Sequence, residues 1–562
     1  MRTRQTATQA IVFTLLVLLL PLATGNSHAR PTTPGEAEMV VAGWRKADAR
    51  PLGTVIGRQV AHVETFANDA DEPIYHIVYL QPSGFVIVSA DDLVEPIIGF
   101  ADDGSYGASL GNPLATLVSN DLRHRVAAVR ENRDSQPAPM ILALSKSQRK
   151  WNRFITLAQR SENGLSLSLL SDVRVASLIQ TKWHQGDICD DYCFNYYTPH
   201  HYYCGCVATA MAQLMRYHQY PAKGIGRQPL TIEVQGTPQT AYTRGGDGLG
   251  GPYDWYHMVP EPGCATSDIQ RRAIGAICSD AGISVSVNYG PDGSSGDVLK
   301  AKDALTSVFQ YGNAVVAYNK ERNIGPGLLE MINPNLDYES PVILGLWRQD
   351  GGHAVLCDGY GYNASTLYHH LNMGWAGADD AWYNLPDVDA YYPYTSVVAC
   401  VYNIFVWGKG QIISGRVTDT AGRPIADAIV TAAGASGAFT AYTNAKGIYA
   451  LARMPSGCTY TIRVTKPGHL FTSQVVRTGT SRPQARVSGN KWAVDFVAAT
   501  AGDCDADGDV DSADFAVFAA SWWTGPQHTR WNAYCDMNSP ADGFIDMLDL
   551  AVLAKNWLTG VK

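Results

Sequence analysis

Long apolar runs are nearly missing from this sequence of 562 residues. The single clear run, Ile11 to Leu20, falls short of the roughly 18 residues that cross a bilayer, so no membrane span is expected. Arg2 and Arg4 precede it and Ser27-His28-Ala29 follows, which reads as a signal peptide over 1–29 and predicts a secreted, extracellular or cell-surface protein. Charge is also sparse: 17% of residues are charged, 43 basic against 52 acidic, and no nucleic-acid partner is expected. The acidic surplus is local, since ten aspartates against three basic residues lie between 502 and 562, and it says little about a substrate. Histidine is scarce at 14. The pairs His200/His201 and His369/His370 read as surface or loop residues, because no acidic residue or thiol follows them at regular metal-ligand spacing. Cysteines number eleven, an odd count that leaves at least one thiol unpaired in an exported protein, and their pairing cannot be read from the sequence.

The stretch Tyr203-Cys204-Gly205-Cys206-Val207-Ala208-Thr209 places a thiol where a helix should begin. Helix formers and apolar residues continue to Tyr217, and Tyr220-Pro221 stops the run. A cysteine in a first helical turn lies beside unpaired N–H groups, which favour the thiolate. A nucleophile of this kind needs a base, and Gly351-Gly352-His353 supplies one about 150 residues downstream, the order and distance found in papain-type enzymes. His218 is excluded, since twelve helical residues put it about 18 Å from Cys206. Asn372 offers an amide to orient the imidazole, and Gln185 offers a side-chain N–H that joins the Cys206 backbone N–H at a developing oxyanion.

Several segments together carry a family resemblance: TKWHQG (181–186), GCVATAMAQLMRYHQYP (205–221), YDW (253–255), AGISVSVNYGPDGSSG (281–296), GGHAVLCDGY (351–360) and HLNMGWAG (370–377). The chain resembles the streptopain family of secreted cysteine peptidases over about 172–405. GFVIVSADD (84–92) is similar to that family's propeptide. The resemblance implies a papain-like fold with Cys206 as nucleophile, His353 as general base and acid, Gln185 as oxyanion donor and Asn372 as the orienting residue. One departure is Met373, which stands where the family usually has a tryptophan shielding the His–Asn bond. On that reading, Met373→Trp should maintain or raise turnover.

The fold class that follows is α+β: a papain-like peptidase domain at 172–408, preceded by an α+β inhibitory propeptide and followed by two small modules. The propeptide spans 30–171, with cleavage anywhere from 134 to 171, and begins its sheet with a hairpin of 74–80 and 84–90 around Gln81-Pro82-Ser83. In the peptidase domain, helical patterns at 206–218 and 268–281 precede β-rich segments near 341–346, 353–360, 367–372 and 397–406. Short alternating strands over 411–498 predict a β-sandwich that looks like a carboxypeptidase regulatory-like module.

Residues 502–560 hold a repeat in which Asp514-Phe-Ala-Val-Phe-Ala is echoed by Asp549-Leu-Ala-Val-Leu-Ala. The first loop places Asp503, Asp505, Asp507, Asp511 and Asp514 at the side-chain ligand positions of an EF-hand-like calcium loop, with Asp509 contributing its carbonyl. The second loop carries Asp536, Asn538, Asp542 and Asp549 with two extra residues. Paired loop–helix units of this kind resemble dockerin modules, which implies calcium and a cohesin-like docking partner. No cofactor is expected for catalysis. The leading function is a zymogen-type cysteine endopeptidase acting on proteins or peptides. The alternatives are an acyl transferase on the same scaffold and a non-catalytic docking or adhesion protein with a decayed site.

Overall fold

The computed structural model describes residues 30–107, 112–131, 138–160, 171–320, 322–347, 352–386, 396–467, 469–505, 509–538 and 542–559. Residues 1–29, read above as a signal peptide, and Asp507 lie outside these residues, as do 134–137 and 161–170 of the interval assigned to cleavage.

The N-terminal unit starts with helix α1 (Pro34–Ala47), set by a Thr33 cap, a reciprocal Glu36 bond and a proline in the first turn. Its inner face buries Ala37, Val40, Val41 and Trp44. That face meets Trp151, Phe154 and Leu157 of a long helix at Ala138–Gln159, here α3 after α2 (Pro113–Glu131). The approach is closest at Gly43, where any Cβ would stand 1.8 Å from the Phe154 carbonyl oxygen. Strands β1 (Gln59–Ala67), β2 (Pro73–Gln81), β3 (Phe85–Ser89) and β4 (Ile97–Ala101) form an antiparallel meander, with the anticipated hairpin as β2–β3.

The next unit adds β5 (Ser171–Val175), α4 (Cys206–His218), α5 (Asp268–Ser284) and a small sheet of β6 (Pro229–Val234), β7 (Thr237–Tyr242) and β8 (Asn288–Tyr289). Its second half is mainly sheet: β9 (Asn313–Tyr318), β10 (Val342–Leu346), β11 (His353–Asn363), β12 (Thr366–Asn372), β13 (Ala381–Tyr383) and β14 (Val397–Phe405). Helix α4 buries Val207 through Met215 against α5 and the sheet, which is why it is apolar nearly all round.

Beyond the sequence reading, the N-terminal meander and the second unit share one sheet. β4 pairs antiparallel with β13 through Phe100–Trp382 and Gly99–Tyr383, giving eleven strands in the order β1-β2-β3-β4-β13-β12-β11-β10-β14-β9, with β5 alongside β11. The apolar cluster is shared too, running from Leu114, Val118 and Leu122 of α2 to Leu371, Met373 and Tyr383.

The sandwich is present as two four-stranded sheets over Gln411–Thr500, closed around Val417, Val430, Tyr449, Ile462 and Phe496. It is tied to the preceding unit by buried polar bonds, Ser414 Oγ donating to Asp337 Oδ2 at 2.6 Å and Asn403 Nδ2 to Asn490 Oδ1 at 3.0 Å. In the C-terminal repeat, the helices Ser512–Ser521 and Met547–Lys555 are capped identically by Asp511 and Asp546.

Candidate active site

Cys206 opens α4 because Gly205, at φ +93°, turns the chain through a left-handed conformation that other residues resist. The thiol is half-buried and unbonded to another cysteine. Burial opposes its ionisation. The charge and hydrogen bond of His353, together with the N–H groups of Ala354 and Val207, outweigh that cost and lower its pKa. His353 begins β11, whose Leu356 lies across from Asn372 at the end of β12. Its Nε2 is 3.2 Å from the carbonyl oxygen of Met373, which leaves Nδ1 for the thiol.

That bond corrects the role given to Asn372. Its Oδ1 is saturated by Gln213 Nε2 at 2.9 Å and the Gly374 N–H at 3.1 Å, and its Nδ2 donates to the Thr181 carbonyl at 3.0 Å and Asp380 Oδ2 at 3.3 Å. An amide with all these partners has no hydrogen bond to spare for the imidazole. The Met373 peptide takes the role instead, its N–H donating to Asp380 Oδ1 at 2.7 Å while its carbonyl faces His353.

The shielding argument changes with it. The Met373 side chain is fully buried in the apolar cluster. Met373→Trp therefore overpacks that cluster, and a fall in melting temperature worth about 1–3 kcal/mol is expected, read by calorimetry. Met373→Leu keeps the carbonyl and the volume, so its activity should stay within about threefold of the parent.

Gln185 is half-buried beside this centre, its carbonyl accepting the Cys204 N–H at 2.9 Å, and no hydrogen bond of its side chain occurs among the described residues. His369 and His370 are not loop residues. Both lie in β12, and burial among Asn333 and its neighbours pushes His369 down to about 3. For His370 burial also lowers the pKa, but the Asp358 carboxylate 2.6 Å away raises it further. Gln213, Asp380 and the Met373 carbonyl were missed in the sequence. Gln213 sits two turns along α4 from Cys206 on the same face, the one signal available for it.

The N-terminal unit lies over the loops beside His353. Asn120 of α2 donates to the Trp347 carbonyl at 2.9 Å, Asn112 to Asp379 Oδ2 at 2.6 Å, and Arg125 to Asn384 Oδ1 at 2.6 Å.

Residues 183–383 match the Peptidase C10 family model, the streptopain family. The chain carries a cysteine-peptidase domain of that family. The Spi protease inhibitor model matches residues 29–126, which makes the N-terminal unit propeptide-like. The carboxypeptidase regulatory-like model matches 412–488 and the dockerin type I model 501–558. Streptopain of Streptococcus pyogenes is 26% identical over 319 residues, 55% of this chain and 73% of that protein. A thiol protease/hemagglutinin of Porphyromonas gingivalis is 24% identical over 370 residues, 65% of this chain and 39% of that one. Among solved structures, a prointerpain A fragment of Prevotella intermedia is 20% identical with a TM-score of 0.44, covering 62% of this chain and 99% of that one.

The dockerin module is a calcium-binding type, and its first loop fits the ion. Carboxylate oxygens of Asp503, Asp505 and Asp514 lie within 4.8 Å of one another, as do those of Asp509, Asp511 and Asp514. In the second loop Asp536 Oδ1 is buried without a hydrogen-bond partner among the described residues, which suits a cation ligand. Asp514 accepts the N–H groups of Cys504, Asp505 and Asp511, and Asp549 repeats this with Met537, Asn538 and Asp546. Asp546, absent from the sequence candidates, is thus the counterpart of Asp511. The echo of Asp514 at Asp549 was the signal that could have found it.

Proposed function

We propose that the protein is a secreted, zymogen-type cysteine endopeptidase. The observation that carries this reading is the Cys206–His353 hydrogen bond at the start of α4, backed by the Met373 carbonyl. The Cys206 thiolate attacks the scissile carbonyl carbon, forming the C–S bond. The resulting oxyanion is held by the Cys206 N–H and the Gln185 side chain. His353, carrying the thiol's proton, gives it to the departing amine as the C–N bond breaks. Water then attacks the thioester, with His353 taking its proton and returning it to sulfur. No metal or organic group takes part in these steps.

Release of N-terminal residues 30–171 exposes the loops that α2 covers, which supports a zymogen. The repeat serves as an anchor for a cohesin-like partner, and Phe515, Trp523, Met547 and Leu548 stand exposed on it. Purified protein is expected to cleave casein internally and to be labelled at Cys206 by a thiol-directed epoxide. Absence of both would overturn the peptidase reading.

Two further outcomes follow. Iodoacetamide should alkylate Cys206 with a midpoint well below the ~8.5 of an ordinary thiol. His353→Gln should move that midpoint upward, because it removes the charge that favours the thiolate; a midpoint indifferent to the substitution would contradict the ion pair. For the reduced protein, chelation by EGTA should remove the calorimetric transition of residues 502–560 and leave hydrolysis of a small peptide within about twofold. A transition that ignores EGTA would contradict calcium-linked folding.

A further inference from the structure

Two thiols that play no part in peptide hydrolysis meet inside the C-terminal repeat. Cys504 is the second residue of the first calcium loop, and Cys535 directly precedes Asp536 of the second. Both are buried in one small apolar cluster with Phe518, Met537, Ile545 and Leu553. The two backbones are held by one residue: Asn532 Nδ2 donates to the Cys504 carbonyl at 3.1 Å, and the Asn532 carbonyl accepts the Cys535 N–H at 3.0 Å. Cys504 is fixed from its other side as well, its N–H donating to Asp514 Oδ1 at 2.5 Å. Both cysteines are thiols in this structure, whereas Cys189 and Cys264 are already joined.

We propose that Cys504 and Cys535 form a disulfide that fastens the two calcium loops together and makes folding of the repeat less dependent on calcium. The second clause rests on reading 502–560 as a calcium repeat, while the first rests on geometry alone. The thiols already share one buried cluster with their backbones bridged by Asn532, so bond formation asks for their approach to the ~2.05 Å of an S–S bond rather than for a parting of the loops. The oxidant is a small-molecule disulfide such as oxidised glutathione. One protein thiolate attacks a sulfur of that disulfide and expels one glutathione thiolate, giving a mixed disulfide. The second protein thiolate then attacks the protein-bound sulfur and expels the other. Two protein thiols are oxidised and one glutathione disulfide is reduced to two thiols. A crosslink across about thirty residues restricts the unfolded repeat, so less of the ordering is left for the cation to drive.

The test uses the full chain equilibrated with oxidised and reduced glutathione, quenched in acid, alkylated in denaturant and mapped by mass spectrometry. The expected result is a linked peptide pair containing Cys504 and Cys535. Recovery of both as alkylated thiols at every glutathione ratio, or linkage of either to a different cysteine, overturns the proposal. Calorimetry in EGTA then addresses the second clause. The oxidised repeat should melt about 10 °C or more above the same protein in a phosphine reductant, and Cys504→Ala/Cys535→Ala should abolish that difference. A difference that survives in the double variant belongs to Cys189–Cys264 and overturns the clause. If calcium shifts melting in neither redox state, the calcium reading fails while the mapped crosslink stands.

Discussion

Cys206→Ala is expected to lower kcat/KM for a peptide substrate by at least about 10⁴-fold and to leave a self-processing precursor at full length. On the proposed mechanism the thiol forms the acyl bond, and no other thiol among the described residues is placed to replace it. Cys204, two residues away, is fully buried with its Sγ on Thr209 Oγ1 at 3.3 Å, and Cys278 is buried in the same cluster. Folding should survive the change, since Cys206 is only half-buried and bonded to no other cysteine. Casein cleavage assayed on the purified variant, beside the parent and with calorimetry of both, gives the answer. Turnover within tenfold of the parent, with melting unchanged, would remove Cys206 from the chemistry.

Asn372→Ala is expected to have the second largest effect, of a different kind. If Asn372 oriented the imidazole directly, its loss would slow turnover and spare stability. The structure gives it another task, joining α4, the segment at Thr181 and the 374–380 loop through Gln213, Thr181, Gly374 and Asp380. Removing the amide strands those buried groups, at about 2–4 kcal/mol, or roughly 5–10 °C in melting temperature. The Met373 peptide is held by the same Asp380, so the carbonyl behind His353 should shift too, lowering kcat/KM by about 10–100-fold. A large loss of activity with no change in melting would return Asn372 to the imidazole.

The pairing of Cys206 with His353 was legible because each is marked by its neighbours along the chain. Gly205 and a helix-forming run bracket the thiol; two glycines and a β-rich run bracket the histidine. The helices 206–218 and 268–281 and the strands near 342, 353, 367 and 397 were legible for the same reason, since their periodicity is a local property. The group behind His353 was not. A side chain's direction at the end of β12 depends on the register with β11 and on where the 374–380 loop puts Asp380, and neither leaves a mark at Asn372 itself. His369 and His370 misled for a similar reason: a histidine pair in an alternating strand can face a core that other segments supply.

The amino-acid sequence by itself pointed to Cys206 and His353, to the order of the modules and to the carboxylate spacing of the first calcium loop, because each is written in residues close together in the chain or in a motif of fixed spacing. Tertiary structure alone decided that a backbone carbonyl sits behind His353, that the propeptide-like meander joins the peptidase through β4 and β13, and that Cys504 and Cys535 share one buried cluster. Each of those depends on contacts between segments far apart in sequence. Such contacts form only when burial of apolar surface has brought their elements together, and the residues involved carry no local pattern that announces them.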